Sequence, residues 1–180
     1  MDVKFLSASQ TQSTLLALVE NCESMQWAVA WATENAVFEA AMKDSSKFEH
    51  FVVGTHMFQT QPEVLERAAA LAAAAVVPPT GDLFHPKVYL FRNGQRIRCV
   101  VGSPNLTKAA MSRNVEASVL LDGSLDDAAL VELSRFVAEA WKGAEDISHE
   151  FLYRYRHQYA AKTAARQELI KFADVRPPSK

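Results

Sequence analysis

Two hydrophobic spacings alternate along this chain, and together they predict most of its elements. From Gln10 to Cys22, residues Leu15, Leu16, Leu18 and Val19 gather on one side of a 3.6-residue repeat, which predicts a first helix. Met25–Ala32 (MQWAVAWA) is a short continuous apolar run, the pattern of a strand covered on both faces. Glu34–Met42 returns to helical spacing, and Phe48–Gly54 (FEHFVVG) is the next strand, closed by a glycine. A helix is predicted over Pro62–Ala75, with proline in its first turn and Glu63 and Glu66 near its positive end. Val76-Val77 then leads to a break at Pro78-Pro79.

In the second half, Lys87–Phe91 and Arg96–Val101 flank Asn93-Gly94, a strong signal for a tight hairpin turn. Val115–Leu121 reads as a further strand. Two helices follow, Asp126–Trp141 and a longer one from Ser148 to Phe172, where Ser148 makes a capped start. Strands interleaved with helices predict an α/β fold, a mixed β-sheet flanked by helices on both faces. The hairpin rules out a purely parallel sheet.

With 180 residues, 49% of them hydrophobic, the chain suits one domain over 1–180 with a short tail at 176–180. Cys22 and Cys99 have no paired spacing, which argues against a disulfide framework or a zinc ribbon and for a reducing location. No apolar run follows a basic patch at the start, and the longest apolar stretch, Ala68–Val77, is too short to span a bilayer. A cytoplasmic protein without membrane contact is the expectation. The formal charge of −2 hides a local asymmetry. Between Leu83 and Val115 stand Lys87, Arg92, Arg96, Arg98, Lys108 and Arg113, with no acidic residue, and local potential decides where a polyanion settles. Arg92, Arg96 and Arg98 serve equally as the solvated face of a hairpin.

The chemistry concentrates between Phe84 and Leu121. His85 and Lys87 are two apart, so on an extended strand they project from one face. After the hairpin returns comes Gly102-Ser103-Pro104-Asn105, with Ser103 and Asn105 again two apart. Neighbouring strands would thus hold an imidazole, an ammonium, a hydroxyl and a carboxamide around one point. Those groups suit a phosphate: Lys87 as a compact cation, Ser103 and Asn105 as neutral donors. Glu116, on the next predicted strand, is placed to fix the tautomer of an imidazole. Ser103 and Asn105 are also common turn residues, and a simple turn before a helix near Thr107–Met111 is the competing reading.

His85, Lys87, Gly102, Ser103 and Asn105 resemble the signature of the phospholipase D superfamily, His-x-Lys followed by Gly-Ser-x-Asn. Glu116 matches a downstream glutamate of that superfamily's nuclease branch. The resemblance covers most of the chain and implies a phospholipase D/nuclease-like sandwich. It implies a metal-independent phosphodiesterase without cofactor, acting through a phosphohistidine on His85, with Lys87, Ser103 and Asn105 on the phosphate. Such a reaction uses two histidines. One His-x-Lys per chain therefore implies a homodimer with His85 of both subunits in one site. Two departures stand out: Arg92 occupies the place of the family's aspartate, and the gap between Lys87 and Gly102 is longer, as an extended hairpin would make it.

The other histidines (His50, His56, His149 and His157) have no lysine two residues on and read as ordinary, and Trp27 and Trp31 read as core or interface residues. The last helix interleaves Tyr153, Tyr155 and Tyr159 with Arg154, Arg156, Lys162 and Arg166. Packed tyrosines beside solvated cations are the favoured reading there, and base stacking with phosphate neutralisation the other. The candidate nucleic-acid contacts are Arg92, Lys108, Arg113, Arg154 and Arg156. A nuclease is the leading expectation. A phospholipase D-type lipid hydrolase is one alternative. The other is a catalytically silent nucleic-acid-binding domain, acting with a partner protein that supplies specificity in a restriction or defence system.

Overall fold

The computed structural model describes residues 1–173; the expected tail at 176–180 lies outside them. In chain order the elements are β1 (Asp2–Ser7), α1 (Ala8–Asn21), β2 (Ser24–Val29), α2 (Ala36–Lys43), β3 (Phe48–Gly54), α3 (Pro62–Ala68) and β4 (Ala74–Val77). Then follow β5 (Lys87–Asn93), β6 (Arg96–Gly102), α4 (Lys108–Ser112), β7 (Ala117–Ser124), α5 (Ala128–Lys142) and α6 (His149–Ala173). Polar side chains close the helix starts. Asn35 Oδ1 accepts from the Val37 and Phe38 amides at 2.9 and 3.2 Å, and Ser148 Oγ accepts from the Phe151 amide at 3.1 Å.

The strands make one seven-stranded sheet in the order β1-β7-β6-β5-β2-β3-β4. β2, β3 and β4 run parallel, and every other pairing is antiparallel, so the sheet is mixed as expected. Its two faces bury separate cores. On one, Trp27 is fully buried, its ring meeting Phe48, Phe51, Tyr89 and Phe91 edge-on at 5.0 to 6.1 Å between centroids, with Leu15 of α1 and Phe38 of α2 in the same cluster. On the other, Leu130 and Val137 of α5 cover Ala28, Val52, Val88, Leu90 and Cys99. Helices therefore flank both faces.

The structure departs from the sequence pattern in three places. The helix expected over Pro62–Ala75 ends at Ala68, and Ala74–Val77 becomes β4, pairing parallel with β3 from Phe51↔Ala74 to Gly54↔Val77. Alanine's helical preference amounts to only tenths of a kcal/mol per residue, and ladder hydrogen bonds with burial against β3 override it. β1 carries little apolar pattern because it is an edge strand: Leu6 is buried, whereas Val3 and Phe5 are 62% and 65% exposed. The strand expected from Val115 starts at Ala117, leaving Val115 wholly in solvent.

Because Trp27 fixes four aromatic neighbours at once, Trp27→Ala is expected to destabilise the fold by about 3–5 kcal/mol, as core aromatic truncations do. Urea denaturation followed by circular dichroism measures it, and a loss below about 1 kcal/mol would contradict this account of the core.

Candidate active site

Four strand ends meet at one side of the sheet: the carboxyl ends of β2, β3 and β6 and the start of β5. Ligands of open α/β sheets bind beyond the carboxyl ends of parallel strands. Two glycines let chains crowd there. A Cβ on Gly54 would stand 2.6 Å from the Ala30 carbonyl oxygen and 3.0 Å from the Phe84 ring, so β3 admits the segment leading to His85. A Cβ on Gly102 would stand 2.4 Å from the Ala117 carbonyl oxygen, so β6 and β7 close up beside Ser103. The Ala30 amide donates to the Pro86 carbonyl at 2.8 Å and ties that segment to β2.

His85 lies exposed on the rim, and Lys87 is 8% exposed beneath it. Lys87 Nζ stands 2.7 Å from His85 Nδ1 and 2.9 Å from Nε2, and donates to the His85 carbonyl at 3.0 Å. An ammonium can donate only to an unprotonated ring nitrogen, so this contact favours neutral imidazole. Burial and the Lys87 charge both hold the His85 pKa below its ordinary value. Burial also lowers the Lys87 pKa, against the pull of the Glu116 carboxylate. Cation and imidazole thus stand as a charged donor and its neutral acceptor.

Across the strand end, Ser103 Oγ donates to Glu116 Oε2 and accepts from the Ala117 amide at 3.1 Å. Asn114 Nδ2 donates to Glu116 Oε1 at 3.0 Å. Within the chain Glu116 receives the Ser103 hydroxyl, because it precedes β7 beside the end of β6. Behind this pair the buried Tyr89 hydroxyl donates to the Pro104 carbonyl at 3.0 Å and holds the turn. Asn105 Oδ1 is buried without a hydrogen-bond partner. The loop beyond is pinned to β2's continuation, since the Leu106 carbonyl accepts from the Thr33 amide and Asn35 Nδ2.

Lys108 and Arg113 are exposed on the segment joining Asn105 to Glu116. The other candidate cations lie elsewhere. Arg92 is at the hairpin end of β5, donating to the Gly94 carbonyl at 3.1 Å; on α6, Arg154 pairs with Glu150 at 3.9 Å and Arg156 with Glu66. Among the described residues, no group of three or more His, Cys, Asp or Glu is placed to hold a metal ion.

No family model matches the chain, and no curated protein matches its sequence. Solved structures do match its fold. Nuc from Salmonella typhimurium, a phospholipase D family member, superposes with a TM-score of 0.62 at 14% identity, over 81% of this chain and 95% of its own. NucT from Helicobacter pylori gives a TM-score of 0.61 at 12% identity, over 81% and 98%. Phosphatidylserine synthase from Haemophilus influenzae gives 0.60 at 10% identity, over 89% of this chain and 42% of its own. The fold is that of the phospholipase D superfamily.

Within the phospholipase D fold, Arg92 stands five residues along β5 from Lys87, roughly 16 Å at ordinary strand rise. An acid at that position would not reach a phosphate at His85, so the departure noted in the sequence leaves the groups at this strand end untouched. One residue of the site escaped the sequence reading. Trp31, expected in the core or at an interface, is half-buried beside His85, with ring centroids 4.9 Å apart at 70°. Its Nε1 donates to the His56 carbonyl at 2.9 Å. The apolar run that hides Trp27 continues into Trp31 without any polar signal to separate them.

The His85 ring is expected to titrate below the ordinary value of about 6.5. Lys87→Met, which removes the adjacent charge, should move that midpoint upward. Proton NMR of the ring resonances across pH 4–8 measures both; equal midpoints in the two proteins would contradict the electrostatic coupling.

Proposed function

We propose that this protein hydrolyses phosphodiester bonds in DNA or RNA, with His85 as the nucleophile. The observation that carries the proposal is the Lys87 ammonium against the His85 ring nitrogens, with Ser103 and Glu116 paired at the ends of the neighbouring strands. In the first step a free His85 nitrogen attacks phosphorus. A P–N bond forms, the bond to the leaving oxygen breaks, and that oxygen takes a proton from a second imidazolium. In the second step the same imidazole deprotonates water, which attacks phosphorus and releases His85 and a phosphomonoester. Splitting one hard displacement into two is covalent catalysis with acid–base help. Lys87 and the Asn105 amide stabilise the non-bridging oxygens. Ser103 joins them once its proton turns from Glu116 to the phosphate. No metal and no cofactor enters these steps.

The second imidazole is His85 of the partner subunit in a two-fold homodimer. A surface next to the site supports this. Val3 and Phe5 stand exposed on β1, paired with Leu121 and Val119 of β7, and Glu116 immediately precedes β7. Such an uncovered apolar stripe is the kind of surface that subunits bury. Lys108 and Arg113, exposed between Asn105 and Glu116, support a polyanionic substrate over a lipid. Among the described residues, no helix is long and apolar enough to cross a membrane. Selection of particular sequences would fall to a partner protein.

Labelled single- and double-stranded DNA and RNA, incubated in excess EDTA, test the activity. Cleavage is expected to survive EDTA and to fall by more than about a hundredfold in His85→Ala. Cleavage of phosphatidyl lipids alone would favour the lipid hydrolase, and binding of polymer without turnover the silent domain; each contradicts the proposal. Sedimentation tests the assembly separately. Phe5→Glu should yield folded monomers with most activity lost, whereas a fully active monomer would overturn the shared site.

A further inference from the structure

We infer that Trp31 is the positioning residue of this site: its indole, latched to the backbone at His56, holds the His85 ring against Lys87. The inference rests on the reading of His85 as nucleophile.

His85 lies before the first residue of β5 and is exposed, and among the described residues its ring hydrogen-bonds only to Lys87. One such contact leaves the imidazole free to swing about its side-chain bonds. Trp31 supplies the second constraint. The two rings pack T-shaped with centroids 4.9 Å apart, and Lys87 Nζ lies over the indole 5.8 Å from its ring centroid, so one side chain neighbours both members of the pair.

The latch is built at a visible structural cost. Trp31 Nε1 donates to the His56 carbonyl, and the chain then turns through two consecutive left-handed residues, Met57 at φ 58° and Phe58 at φ 50°. Neither is glycine, and both conformations are disfavoured for L-residues. The His56 ring is buried with neither nitrogen hydrogen-bonded. The surroundings force this geometry. The Phe58 amide donates to the Thr55 carbonyl at 3.0 Å, and its ring packs 5.6 Å from Tyr155. The Tyr155 hydroxyl donates to the Thr60 carbonyl at 2.7 Å, and Thr60 Oγ1 accepts from the Ala32 amide, next to Trp31. Strain of this kind persists where its surroundings over-determine it, and it clusters at functional sites. What it delivers here is a carbonyl aimed at the Trp31 indole.

A nucleophile displaced by a fraction of an ångström loses rate without losing substrate, so the signature is on kcat. With bis-p-nitrophenyl phosphate as probe, Trp31→Leu should lower kcat by about 10- to 100-fold and leave KM within about threefold. Trp31→Phe, which keeps a ring but loses the N–H that latches it to the His56 carbonyl, should recover only part of it. NMR reads the geometry without any substrate. In the wild type the indole ring current should shift the His85 ring protons away from free-histidine positions, and these protons should show contacts to the Trp31 ring protons; in Trp31→Leu they should return toward free-histidine positions. A wrong assignment of the reaction leaves those shifts intact. His85 ring protons at free-histidine positions in the wild type, without contacts to the indole, would overturn the positioning role even if Trp31→Leu fails to fold. So would a loss that appears in KM alone.

Discussion

Lys87 carries an ammonium to a place only 8% exposed, and this single constraint organises the site around it. Removing a cation from water costs several kcal/mol unless donors and opposite charge replace the lost hydration. The replacements are all local: the His85 ring nitrogens, the His85 carbonyl, the nearby Glu116 carboxylate and the face of the Trp31 indole. On the proposed reading, the imidazole among them is also the nucleophile. The cation remains under-solvated, as its lowered pKa records, and a non-bridging phosphate oxygen would complete its shell. On that reading, satisfying the buried charge and preparing a site for an anion are the same arrangement.

The sheet places that charge. β2 pairs in parallel with β3 on one side and antiparallel with β5 on the other, so the carboxyl end of the parallel strands coincides with the start of β5. The register Val88↔Val101 sets Lys87 opposite Gly102, which is followed in the chain by Ser103. Glycine at 54 and 102 then removes the side-chain atoms that would keep the neighbouring segments apart. Slipping the hairpin by one residue would turn Lys87 toward the α5 core, because strand side chains alternate faces. The two-residue Gly94-Gln95 turn, with Gly94 at φ 57°, guards against that slip.

Much of this was legible in the amino-acid pattern, for physical reasons that differ by element. β3, β5 and β6 were readable because continuous apolar runs between turn signals leave few alternatives. The His85–Lys87 contact was readable because two-residue spacing at a strand start puts both side chains on one side. β4 was not, because alanine favours a helix until a neighbouring strand competes for it. β1 was not, because an edge strand buries only one side chain, Leu6. Trp31 was illegible for a subtler reason: it follows Trp27 at a spacing that keeps both on one face, and only the end of β2 separates core from site. Within the chain Glu116 accepts from Ser103 and Asn114, contacts set by where β7 begins.

The central claim is that His85 takes the phosphoryl group onto its ring. The most direct measurement is acid-free denaturation of the protein during turnover of a phosphodiester carrying labelled phosphorus in excess EDTA, followed by peptide mapping. The account predicts label on the peptide containing His85, stable to base and released by acid, as a phosphoramidate behaves, and none in His85→Ala. Sustained turnover with no label at His85 would contradict it.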